Sequence, residues 1–236
     1  MIWLYRLLFF PAILLASPHY LRRMLRRGGY GANFQQRFGL VPELPPRRPG
    51  IKRIWVQAVS VGEMLAIGPL LQALHVDADV EIYLTTTTST GYKLAIDRYP
   101  QLVMSIGYFP IDGFPFSSRA WKKIDPDMAI VTEGERWPEH IHQARRRRRP
   151  VICVNARMSD RGYMRMKKAQ WLVRSLFDGI TRFLPCSRQD ADRLRDLGFS
   201  EGRIAFVGNI KLDIDIAPIG EETRRQLRRE LGVGGG

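Results

Sequence analysis

Cysteine is scarce in this chain: two residues in 236, Cys153 and Cys186, exclude a disulfide-stapled scaffold. Both read as small core or loop residues of a protein in a reducing compartment. With four histidines in all, no His/Cys cluster has zinc spacing, so no metal site is expected. Long apolar runs are missing too. Residues 7–16 (LLFFPAILLA) fall short of the roughly 20 that span a bilayer, and Pro11 interrupts them, so a simple crossing helix is not expected. Acidic residues are outnumbered, 23 against 37 Lys plus Arg, and the resulting formal charge of +14 selects anionic partners. No nucleic-acid-binding motif accompanies that charge, so nucleic acid is not among the expected ones. What remains, 45% hydrophobic and 25% charged residues, is the composition of a folded globular protein. The length suits one large domain or two small ones.

The apolar stretch is followed by Arg22, Arg23, Arg26 and Arg27, spaced so that a continuing helix holds them on one broad face. Residues 1–27 therefore read as a membrane-surface anchor that meets anionic lipid. A secretory signal would carry its cations in front of the apolar part, where only Arg6 stands, and cations behind it favour the cytoplasmic side. The rival is a buried first helix with a solvated basic edge.

Residues 28–50, rich in Gly, Pro and Arg, form a connecting loop. The domain proper covers 51–209. Its strand candidates are 54–59, 80–86, 104–108, 128–132, 151–155, 182–186 and 203–207, and helical patterns fall at 64–74, 92–98, 138–148, 164–177 and 187–197. Such alternation predicts an α/β fold with a Rossmann-like, doubly wound parallel sheet. Residues 210–236 read as a linker and the first helix of a second domain that this chain lacks.

Open α/β sheets place ligands at the carboxyl ends of their strands, which directs attention to four segments. Ser60-Val61-Gly62-Glu63 joins a strand to a helix: Gly62 permits close backbone approach, and Glu63 serves either as a general base or as a first-turn cap. Glu133 and Glu135, before Trp137-Pro138, suit sugar hydroxyls or mark a helix start with Trp137 in the core. The hydroxyl-rich 85–91, with Thr87 and Thr88, offers donors to a phosphate or sugar but has no lysine in P-loop spacing. In Asn155-Ala156-Arg157-Met158-Ser159, the guanidinium of Arg157 can clamp a phosphate or carboxylate. The arginines at 145–149 read as a solvated helix end.

In order along the chain, Ser60–Glu63, Thr85–Gly91, Glu133–Pro138, Asn155–Ser159 and Gly208-Asn209-Ile210-Lys211-Leu212-Asp213 resemble the 3-deoxy-D-manno-octulosonic acid (Kdo) transferases of lipopolysaccharide synthesis. An anchor followed by Arg37-Phe38-Gly39 also looks like that family's start. The resemblance implies the N-terminal, acceptor half of a metal-independent, inverting GT-B glycosyltransferase that uses no cofactor. CMP-Kdo would be the donor and the lipid A precursor the acceptor, at the cytoplasmic face of the inner membrane. Glu63 would be the general base, and Ser60, Gly62, Arg37, Thr87, Thr88, Glu133, Glu135, Arg157 and Ser159 would bind substrate. The donor is bound mainly by the family's C-terminal domain, so that domain or a partner chain is an expected partner. Two positions depart from the family pattern: Gln57 stands in place of a histidine, and Gly134 in place of a threonine. The alternative is a non-catalytic remnant that binds anionic lipid.

Overall fold

A computed structural model describes residues 1–26, 31–134, 137–212 and 220–230. Helix α1 (Ile2–Arg26) precedes a 3-10 helix (Gly31–Phe38). The alternating part runs β1 (Lys52–Gln57), α2 (Val61–Ala66), α3 (Gly68–Val76), β2 (Val80–Thr86), α4 (Ser89–Arg98), β3 (Ser105–Tyr108), α5 (Phe114–Ile124), β4 (Met128–Thr132), α6 (Pro138–Arg146) and β5 (Val151–Ala156). It continues with α7 (Asp160–Lys168), α8 (Gln170–Phe177), β6 (Arg182–Pro185) and α9 (Arg188–Asp196), and α10 (Glu221–Glu230) follows further along.

All six strands are parallel, in the order β3-β2-β1-β4-β5-β6. Side chains of period two bury both faces. Ile54, Val56, Ile82, Leu84, Ile130 and Val154 pack with Met64, Ile67 and Leu71 on one side. Trp55, Tyr83, Val131, Cys153 and Phe183 pack with Trp121, Ile141 and Phe177 on the other. Near-continuous apolar strands of this kind are what a sheet covered on both faces requires.

The structure departs from the sequence reading at several places. Residues 203–207 form no strand; Ile204 makes only an isolated bridge to Phe183. The pattern at 64–74 is two helices broken at Ile67, where Pro69 restarts the chain at the first turn of α3. Likewise 164–177 divides at Ala169 into α7 and α8. Helix α5 has no counterpart among the expected helices; it opens on Phe114-Pro115, with the proline in its first turn. Part of the 28–50 loop is the 3-10 helix, docked on β3 and α5 by Gln36, whose Oε1 accepts from the Tyr108 amide at 2.7 Å.

The largest departure concerns the N-terminus. Helix α1 continues through Pro11 and Pro18, since a proline removes one backbone bond and need not end a helix. Its Ile2–His19 part is long and apolar enough to cross a membrane by length and composition, contrary to the reading of residues 7–16 as too short. Yet its first turns are bound to the domain. The Tyr5 hydroxyl donates to Asp112 Oδ2 at 2.6 Å, and Arg6 donates from Nε and Nη2 to the two oxygens of Glu139, each at 2.8 Å. The ring of Phe9 lies against Gly113, where any side chain would collide with it. Asp112 also accepts from the amides of Glu139 and His140, so it caps α6 from outside that helix.

Two buried groups at this junction titrate in opposite senses. Burial pushes the Asp112 carboxyl up to about 7 from 3.8, and pushes the His140 imidazole down to about 3 from 6.5. Below pH 7 the folded state therefore takes up a proton at Asp112 that the unfolded chain does not, and acidification stabilises. Below pH 6.5 the unfolded chain protonates its histidine while native His140 stays neutral, and acidification destabilises. Over the shared window, from 6.5 down to 3.8, the two contributions nearly cancel. Asp112→Asn removes the first, so its stability should fall by up to about 1.4 kcal/mol per pH unit below 6.5, relative to the flatter wild type. Urea midpoints of both proteins across that window check this, and parallel curves would count against it.

Candidate functional site at the sheet switch point

The strand order reverses between β1 and β4, the two central neighbours from which the chain winds outward in opposite directions. The loops leaving their carboxyl ends must diverge, which opens a crevice there. Glu63 stands at this point. Ser60 caps α2, its Oγ accepting from the Glu63 amide at 3.2 Å and donating to Glu63 Oε1 at 2.9 Å. The Val59 amide donates to Oε2 at 3.0 Å, and from the end of β4 the Thr132 hydroxyl donates to the same oxygen. The side chain is thus the helix cap that a Ser-x-x-Glu sequence makes, with a further bond across the switch point. It is only 7% exposed, and Oε1, with a single donor, keeps lone-pair capacity for an incoming hydroxyl.

Glu133 follows Thr132 with φ +49°, and Asn155, near the end of neighbouring β5, has φ +52°. Two non-glycine residues in the left-handed region on adjacent strand ends cost about 1–2 kcal/mol each, strain that folds tend to keep at working sites. The Glu133 carboxylate faces Lys211 Nζ at 2.5 Å and Arg157 Nη1 at 3.8 Å. Asn155 Oδ1 accepts from the Ile210 amide at 3.3 Å, which ties the start of 210–236 to the same edge. The result is a carboxylate between two cations at the end of the strand whose Thr132 reaches Glu63.

The remaining expected residues are dispersed. Thr85 and Thr86 are buried in β2, so the hydroxyl-rich segment is mostly strand and cap. Thr88 caps α4 by accepting from the Gly91 amide and donates to the Val59 carbonyl, which sets it beside the Glu63 loop; Thr87 is buried next to it. Gly62 lies in the first turn of α2, where an added Cβ would meet Ser60 Oγ at 4.0 Å. Ser159 caps α7 and is exposed. Arg37 lies at the β3 side of the sheet, buried, with Nη1 donating to the Phe109 carbonyl. There it locks the 3-10 helix to the body and is not in contact with Glu63. Glu135 lies outside the described residues. Among the described residues no three His, Cys, Asp or Glu side chains converge to hold a metal ion.

A sequence model described as 3-deoxy-D-manno-octulosonic-acid transferase (kdotransferase) matches residues 32–214. The chain belongs to the Kdo transferase family. The 3-deoxy-D-manno-octulosonic acid transferase of Haemophilus influenzae is 30% identical over 211 residues, covering 89% of this chain and 46% of that protein. A bifunctional glycosyltransferase/methyltransferase of Fusobacterium nucleatum is 29% identical over 182 residues, 77% of this chain and 28% of that one. The chain therefore spans about half the length, or less, of the curated relatives it matches. Among solved structures, Anabaena HepE in complex with UDP superposes with a TM-score of 0.57 at 12% identity, covering 77% of this chain and 50% of that one. The UDP-GlcNAc 2-epimerase of Neisseria meningitidis gives 0.51 at 10% identity, over 78% and 54%. These likenesses concern the fold, a Rossmann-like half of GT-B architecture.

Within this Kdo transferase family member, residues absent from the sequence reading complete the site. Thr132 reads from the sequence as the last residue of a strand, although the strand-end rule that points to Glu133 applies to it as well. The Val59 amide carries no sequence signal. Lys211 stood in a family-like motif without a role, and only the return of residues 210–212 to the sheet edge brings it to Glu133.

Proposed function

We propose that this chain is the acceptor-binding half of an inverting glycosyltransferase that moves Kdo from CMP-Kdo to the lipid A precursor in lipopolysaccharide synthesis. The observation that carries the reading is the buried carboxylate of Glu63, held at the switch point by donors from Val59, Ser60 and Thr132. A base must reach the proton it removes, and Oε1 offers that position to an acceptor hydroxyl as it attacks the anomeric carbon of the donor. Glu133, Arg157 and Lys211 then supply a charged rim suited to an acceptor that bears phosphate. A second Rossmann-like domain, in cis or on a partner chain, completes the donor site across the cleft.

The acceptor is a lipid, and α1 fits a membrane surface. Trp3, Leu7, Leu14 and Leu15 are between 71% and 84% exposed, while Tyr5 and Arg6 bind the domain. A helix whose first turns are latched to a folded body suits a place in the interface and monotopic attachment at the cytoplasmic face of the inner membrane.

The test is a transfer assay with CMP-Kdo and a tetra-acylated, bisphosphorylated glucosamine disaccharide in detergent, read by mass spectrometry. Product is expected when a donor domain is supplied; binding of the lipid without product in either arrangement would favour a non-catalytic lipid-binding protein. In the active assembly, Thr132→Val keeps the side-chain shape and removes one donor to Glu63. It should lower kcat about tenfold with little change in KM, and an unchanged kcat would remove Thr132 from the machinery.

A further inference from the structure

The outer side of α7 and α8 is dressed for a surface other than water. No residue of α7 is buried, and Met164 and Trp171 stand 56% and 63% exposed. Arg161, Arg165, Lys168 and Arg174 are exposed around them, and none of the four is ion-paired among the described residues. Nearby Lys167, by contrast, is engaged by Asp196. The inner side of α8 meets the anchor helix: Leu172 and Leu176 line an apolar groove with Met1, Leu4, Leu8 and Ala12 of α1. The exposed apolar side chains of α1 and those of α7–α8 are thus parts of neighbouring elements joined by an apolar seam.

We propose that α7–α8 is a second membrane contact, in which Met164 and Trp171 enter the interface of an anionic phospholipid bilayer and Arg161, Arg165, Lys168 and Arg174 meet the lipid phosphates. The proposal rests on the reading of α1 as a surface anchor and extends it. Apolar side chains surrounded by unpaired cations match the acyl boundary and its anionic headgroups, and an indole is well suited to that depth. One in-plane helix leaves the domain free to roll about its axis; a second contact beside it sets the roll. Because α7 starts at Asp160, a few residues beyond the carboxyl end of β5, the same contact holds the edge that carries Glu63 and Glu133 near the headgroups. That is where the sugar of a membrane-embedded lipid lies.

Sedimentation of the full chain with vesicles of phosphatidylcholine and phosphatidylglycerol, at near-physiological salt, reads the proposal. Met164→Ser/Trp171→Ser and, separately, Arg161→Gln/Arg165→Gln/Lys168→Gln should each lower the partition coefficient about tenfold or more, the second losing its effect on uncharged vesicles. Lipids brominated on the acyl chain should quench wild-type fluorescence more than that of Trp171→Phe, a readout that needs no destabilising change. Wild-type sedimentation with both multiple variants unaffected and no differential quenching would overturn the α7–α8 contact and leave the α1 anchor standing. Failure of the wild type to sediment would remove both. A change in oligomeric state without vesicles that tracks the same substitutions would assign the face to a second copy of the chain and overturn the lipid assignment.

Discussion

Glu63→Gln, in the enzyme completed by its donor domain, is expected to lower Kdo transfer by about 10²–10⁴-fold, the range a positioned general base contributes. The substitution is close to isosteric. The amide oxygen can take the place of Oε2 and accept from the Val59 amide and Thr132, while the amide nitrogen faces Ser60, whose hydroxyl rotates to accept. Fold and lipid binding should therefore survive, with a stability change within about 1 kcal/mol. What is lost is the lone pair that takes the proton. The loss should fall on kcat and kcat/KM alike, since the acceptor is bound by other groups. Transfer at the wild-type rate in this variant, with acceptor binding intact, would withdraw the base assignment and leave Glu63 as a helix cap alone. The cap role is real in either case, because Ser60 and Glu63 satisfy each other at the start of α2.

Arg6→Ala should destabilise the whole domain by about 3–5 kcal/mol, a drop of roughly 10 °C in melting temperature for a chain of this size. The pair it breaks is bidentate, and its acidic side is sealed: the Glu139 side chain is 0% exposed and that of Arg6 11%. Without the guanidinium, Glu139 keeps, among the described residues, only Gln143 Nε2 as a side-chain hydrogen-bond donor, and a buried carboxylate is left with its charge not offset by an ion pair there. Arg6 also sits over the rings of Trp3 and Phe114, at 4.7 and 4.2 Å, and these contacts go with it. Replacing both members by methionine should restore most of the loss, since an apolar pair leaves no charge behind. If α1 were a tether independent of the domain, the single substitution would cost what an exposed ion pair costs, under about 1 kcal/mol. Thermal melts of the three proteins in one detergent separate the cases.

Much of this was legible from residue order. Five of the six strands lie within one residue of their expected ends, because parallel strands covered on both faces are short apolar runs between turn signals. The sixth, β1, starts two residues earlier, at Lys52, whose charge hides it. The seventh candidate failed for lack of a partner: Ile204 meets Phe183 once, and the chain then leaves the edge. The N-terminal helix is legible too, but its length is not, because Pro11 inside the apolar run reads as an interruption and α1 continues through it.

Composition and motif order by themselves determined the α/β class, the basic character, the family, and Glu63 as the first residue to consider. These are properties of local pattern: periodicity, charge and residue type need no partner across space. Tertiary structure alone decided that β1 and β4 are neighbours, so that Thr132 reaches Glu63, and that Lys211 returns to Glu133. It alone decided that Arg37 is buried at the far side of the sheet and that Tyr5 and Arg6 bind the domain. Each of these depends on contacts between residues far apart in the chain, and strand order is set by how helices cover both faces of the whole sheet, which no single segment encodes.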